Sequence, residues 1–253
     1  AGSPAAGQSR IRSGLEALVT EAIWTGKYRE ALRRQDRLIE FDTEQKTPGL
    51  LATSLAWRAF DAVALLGDTA EARSFLSKAL ELKSYGDQDL YLALEAYYAA
   101  SGDFDKAEEI VRTRLAVIRP SGVQFNEAIR EYHNGNYGSA IRLFRAQPFL
   151  YHDGLFMLAK SYAATDQTDS ALATLSRLKN FYGGTFGFDG TRALTEAKAE
   201  YLAGMIYEKT GERKKAMEHY GAFVEMWKNA DRDIPELVDG KKRLAALRGM
   251  VKK

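Results

Sequence analysis

The sequence predicts an all-α chain of about six helix–turn–helix pairs followed by one capping helix, and three observations predict it. A glycine followed five residues later by an alanine recurs along the chain. Around these marks the apolar residues return at helical spacing, not at the alternation of a strand. Prolines number only 5 in 253 residues, and no long Val/Ile-rich run suggests sheet.

The marks are Gly26 with Ala31, Gly67 with Ala72, Gly102 with Ala107, Gly135 with Ala140 and Gly211 with Ala216. Asp166 with Ala171 holds the fifth place, an aspartate standing for the glycine. The steps between turns are 41, 35, 33, 31 and 45 residues, so the first and last need insertions. The glycine supplies a turn at positive φ. Leu90, Leu94, Tyr97 and Tyr98 make one face before a turn; Phe104, Ala107, Ile110, Val111 and Leu115 make another after it. Tyr28, Phe104 and Tyr137, two residues past the glycine, staple the start of the second helix. The expected pairs are 11–25 with 28–41, 50–66 with 69–83, 88–101 with 104–118, 122–134 with 137–146, 152–165 with 168–180, and 192–210 with 213–229. Pro120 ends the third pair and Pro148 shortens the fourth. Residues 1–10 read as a disordered linker or processed terminus, 11–230 as the array, and 231–253 as a capping helix with a basic tail. Asp233 caps that helix; Leu237, Leu244, Leu247 and Met250 are expected to face the last pair, with Lys241, Lys242, Arg243 and Arg248 outside.

The densest stretch is AKAEYLAGMIYEKTGERKKAMEHYGAFVEMW, from Ala197 to Trp227. Gly204 and Ala216 have almost no side chain, so two antiparallel helices can cross closely there, with Tyr207 and Tyr220 around the crossing. This stretch resembles the tetratricopeptide repeat, a helix–turn–helix unit of about 34 residues with a Leu-Gly-x-x-Tyr-like core. The resemblance implies a right-handed superhelical array whose first helices line a concave groove for a peptide or protein segment. The stretch WKNADRDIPELVDGKKRLAAL also resembles the end of repeat arrays that follow kinase or winged-helix domains in large bacterial regulators. That implies a sensor or scaffold part, covalently fused to a signalling domain.

Composition excludes several classes. Without cysteine there is no disulfide scaffold, thiolate metal site or cysteine nucleophile, and either cytoplasm or periplasm is compatible. A formal charge of +2 gives no global argument for nucleic acid. No apolar run approaches the roughly 18 residues needed for a spanning helix, so no membrane span is expected.

Carried over from the resemblance, the groove-lining stripe contains Trp57, Asp61, Phe125, Ile129, Tyr132, Phe156, Lys160, Tyr201, Met205 and Lys209. Aromatic and methionine side chains suit a contact surface; the same stripe at helical spacing also suits a core. Members of the family that clamp a carboxylate want cations where Trp57, Phe125, Phe156 and Tyr201 stand, so a two-carboxylate clamp is argued against. The glycine- and aromatic-rich segment FYGGTFGFDG, 181–190, is either a contact loop or a plug packed on a neighbour. It is no phosphate loop, since no Lys-Ser/Thr follows. His133, His152 and His219 lack metal-ligand spacing, and no serine sits in an elbow motif. Three readings remain. They are a non-catalytic module for a protein partner, a sensor holding a small molecule among Trp57, Phe125, Phe156 and Tyr201, and an enzyme. The enzyme is set aside, and no cofactor is expected, because no convergent acid, base, nucleophile or metal set can be assembled.

Overall fold

The computed structural model describes residues 4–84, 88–180 and 190–251. Thirteen α-helices run through them: α1 Pro4–Trp24, α2 Tyr28–Glu44, α3 Pro48–Leu66, α4 Thr69–Glu81, α5 Gln88–Ala100, α6 Phe104–Ile110, α7 Gly122–His133, α8 Tyr137–Arg145, α9 His152–Ala164, α10 Thr168–Lys179, α11 Gly190–Lys209, α12 Arg213–Met226 and α13 Pro235–Val251. A π-helical turn, Val111–Leu115, continues α6. No strand occurs among the described residues. Residues 4–10, expected as linker, are instead the first turns of α1. Pro4 suits the first helical position, and Ala5, Ala6 and Gln8 are good helix formers.

Each expected turn is a left-handed residue. Gly26, Gly67, Gly102, Gly135 and Gly211 have φ between 68° and 80°, and Asp166 takes φ 59° in the fifth place. Aspartate tolerates this conformation better than most side chains, which is why the period survives there. The residue after the left-handed one donates its N–H five residues back. This holds for Lys27 to Ala22, Asp103 to Tyr98, Gln167 to Tyr162 and Glu212 to Tyr207, all at 2.8–2.9 Å. Five residues past each turn, Ala31, Ala72, Ala107, Ala140, Ala171 and Ala216 are each 0% exposed. Any larger side chain there would hold the two helices apart.

The chain forms two compact units, 1–19 with 28–133, and 20–27 with 134–253. In the first, α3 packs against α2, α4 and α5, α5 against α6, and α6 against α7. The core of α3 is alanine: Ala52, Ala56, Ala59 and Ala62 are fully buried. Charge is buried beside it. Asp42 accepts from Arg12 Nε at 3.0 Å and from Ser54 Oγ at 2.6 Å. Arg58 reaches Asp36 at 2.9 Å and Glu71 at 2.8 Å. By length and composition α3 is apolar enough to cross a membrane, with mean hydropathy 1.3 over 18 residues, half of that window being buried. Arg58 and Asp61 interrupt that stretch, and a core helix of a folded domain meets the same criterion of length and composition.

In the second unit α9 packs on α8, α10 and α11, and α12 on α11 and α13. At the α11–α12 crossing a Cβ on Gly204 would stand 2.6 Å from the Tyr220 ring, so only glycine fits. The turn Thr25–Lys27 belongs to this unit too. Trp227, fully buried, donates its indole N–H to the Trp24 carbonyl at 3.0 Å, and the Asp231 N–H reaches the Gly26 carbonyl at 3.0 Å. Leu237, Leu244 and Leu247 of α13 are buried as expected, but Met250 is 57% exposed. It lies about 140° around the helix from Leu237. Arg243, expected outside, is half-buried and turns toward α11.

Candidate functional site

The predicted stripe falls partly in each unit. In the first, Trp57 is half-buried, its ring edge-on to Phe60 at 5.6 Å. Asp61, one helical turn on, is only 2% exposed and lies in the core. Gln35 hydrogen-bonds one of its oxygens, while Oδ2 has no hydrogen-bond partner. Burial pushes this carboxyl up to about 7, against the opposing effects of Gln35 and Arg58. No surface ligand reaches it, so it leaves the stripe.

On α7, Phe125, Ile129 and Tyr132 are all half-buried. Their footing was not legible in the sequence. Glu95 of α5, 2% exposed, pairs with Arg119 and accepts from Asn126 Nδ2 at 3.0 Å. Arg119 lies over the Phe125 ring at 5.5 Å. An acid in the middle of an apolar helix face is the one signal that could have pointed to this network.

In the second unit, Phe156 and Lys160 are half-buried on α9, with the Lys160 ammonium 5.7 Å from the ring centroid. Tyr201 and Met205 are half-buried as well, and both pack against α12 and α13. Tyr201 packs against Phe223 at 5.3 Å and Tyr220 at 6.0 Å and donates its hydroxyl to Asp239 of α13 at 2.6 Å. Burial, then that carboxylate, pushes the phenol up to about 12. Asp239 is held below the usual carboxylate range by Tyr201 first, and by Arg243. Arg243 also reaches Glu208 at 2.9 Å, and Glu208 accepts from Tyr220 at 2.8 Å. Met205 packs among Ala216, Tyr220, Leu244 and Leu247. Lys209 is exposed at the turn and pairs with Asp166.

The contacts of α13 run in step with α11: Lys198 with Glu236, Tyr201 with Asp239, Glu208 with Arg243. Both series rise together, so the two helices are parallel. Gly240 lets α13 come close to α12, since a Cβ there would sit 3.0 Å from the Phe223 ring. Thus α13 lies on the stripe of α11 as the first helix of a further pair would.

Among the described residues no group of three or more His, Asp or Glu is placed to hold a metal. His152 begins α9, as expected, and is buried. His219 Nδ1 stands 2.6 Å from Glu200, which Lys179 also reaches at 2.5 Å. Burial works to raise Glu200, but His219 and Lys179 outweigh it and hold the carboxyl low. The segment 181–189 lies outside the described residues.

Family models described as tetratricopeptide repeat match residues 153–185 and 197–226. These matches cover α9 with α10 and most of α11 with α12, so this part of the chain is built of tetratricopeptide-like repeats. Comparison with curated proteins finds no match. Repeats of this family generally mediate protein–protein interaction, and proteins built from them are typically non-catalytic scaffolds.

Proposed function

We propose that the chain is a non-catalytic interaction module that takes a peptide or protein segment against the groove-lining faces of its first helices. The observation that carries this is the state of the stripe rings. Trp57, Phe125, Tyr132 and Phe156 are neither core nor fully solvated. Each is partly packed and therefore fixed, and each leaves part of its surface to solvent. Rings held this way lose little freedom on binding and bury much apolar area. In the first unit Ile129 joins Trp57, Phe125 and Tyr132, and in the second Lys160 joins Phe156; Asp61, Tyr201 and Met205 are committed to the fold and drop out. Apolar anchors supply most of the affinity, and Lys160 adds orientation.

The test is photo-crosslinking of the full chain. A crosslinking side chain is placed at Phe156 or Trp57, and separately at Lys214, an exposed residue near the α11–α12 turn. Adducts of one partner from the stripe positions and none from Lys214, lost on Phe156→Ala with an unchanged melting temperature, are expected. Equal adducts from both places, or loss of adducts only in step with loss of fold, would overturn the reading.

A further inference from the structure

We propose that the first unit carries a second binding site, a cleft for a medium-chain carboxylate lined by α4, α5, α6 and the π turn. The cleft has a volume of about 350 Å³, within the range of small-ligand sites. Its floor is Leu90 and Leu94, 2% and 5% exposed, with the rings of Tyr91 and Tyr98. Those tyrosines are two helical turns apart, so the trough between them is about 10 Å long. Leu80 of α4 and Ile110 of α6 form its walls, and Leu80 is left 37% exposed. Leu90, Leu94 and Tyr91 are already covered, so an acyl chain in the cleft would shield the exposed part of Leu80 and the half-buried Tyr98 and Ile110.

The rim decides where the charged end goes. A cation stands over an aromatic ring at each end: Lys106 at 5.2 Å from Tyr98 and Arg114 at 5.2 Å from Tyr91. The two ends are not equivalent. Lys106 is already neutralised by Asp103 at 2.7 Å, and Glu109 lines the middle of the rim and repels an anion. Arg114 has no carboxylate partner among the described residues. A guanidinium offers a fork of N–H groups matched to a carboxylate. Arg114 stands on the π turn, a departure from α geometry that recurs at functional sites. Charge and shape therefore agree on one orientation, carboxylate at Arg114 and chain toward Leu94 and Tyr98.

The probe is sodium octanoate below its micellar concentration, with octan-1-ol as the uncharged match, titrated into the full chain and followed by amide chemical shifts. Saturable shifts at Leu80, Tyr91 and Thr113 are expected, with octanol weaker by about tenfold or more. Arg114→Ala should weaken octanoate by a similar factor and leave octanol unchanged. Leu80→Glu, a half-exposed position, should abolish octanoate binding at an unchanged melting temperature. Octanoate and octanol binding equally, shifts spread over the whole surface, no saturable shift, or affinity indifferent to both substitutions would overturn the proposal.

Discussion

The core helix α3 of the first unit is lined by four alanines and flanked by Arg58, Asp61 and the Asp42 cluster, whereas the α11–α12–α13 contact of the second is lined by Tyr201, Tyr220, Phe223 and Trp227. Both rest on the same turn and the same buried alanine. The frame therefore fixes helix spacing and leaves open what fills it. Rings bring large apolar area and demand shape. Buried charge brings little net stability, demands a partner, and makes stability depend on pH. The second unit should thus be sensitive to volume, and the first to protonation.

The largest expected effect is in the second unit. Trp227→Ala removes a fully buried indole and its hydrogen bond to Trp24, and should cost about 3–5 kcal/mol in urea unfolding followed by helix signal. Trp57→Ala, half-buried in the first unit, should cost less than half as much. Equal losses would erase the proposed contrast.

The next effect belongs to the first unit and is read by pH. Asp61 is raised toward 7 in the folded chain and titrates near the ordinary carboxylate value when unfolded. Between those values the folded state holds one more proton, so stability falls as pH rises from about 4 to about 7 and stays low above that. Asp61→Asn should remove this fall, gaining stability at pH 8 relative to wild type and little at pH 4. Parallel pH profiles for the two proteins would show that Asp61 remains ionised in the core.

The smallest pair tests shape alone within one helix crossing. Gly204→Ala forces a methyl against the Tyr220 ring and should cost about 1–3 kcal/mol. Gly221→Ala in α12 meets nothing within 4 Å and should gain about 0.5–1 kcal/mol, because helical glycine is entropically costly. A loss at both positions would remove the assignment of Gly204 to a tight crossing.

Most of the fold was legible in the residues because its two repeating requirements are local. A left-handed turn residue and a small residue one and a half turns later must stand at fixed spacing, and they do even where Asp166 replaces glycine. The stripe was legible only as a set of directions. Helical periodicity places Asp61, Phe125 and Tyr201 on comparable faces but does not say what covers each. Asp61 is covered by α2 through Gln35, and Tyr201 by α13, 38 residues further on. The Glu95–Asn126–Arg119 network and the approach at Gly240 join residues distant in sequence, and no spacing rule reports such pairs. The π turn left no mark in the apolar pattern at all.

The bond from the Trp227 indole to the Trp24 carbonyl spans 203 positions of chain. At a synthesis rate of about 5–20 residues per second, Trp24 is made about 10–40 s before its partner. Residues 28–133 are made within that interval, while the end of α1 and the turn after it still wait for the rest of their unit. Completion of the second unit therefore waits for Trp227, and a nascent chain arrested before it should leave the Trp24 turn open to protease.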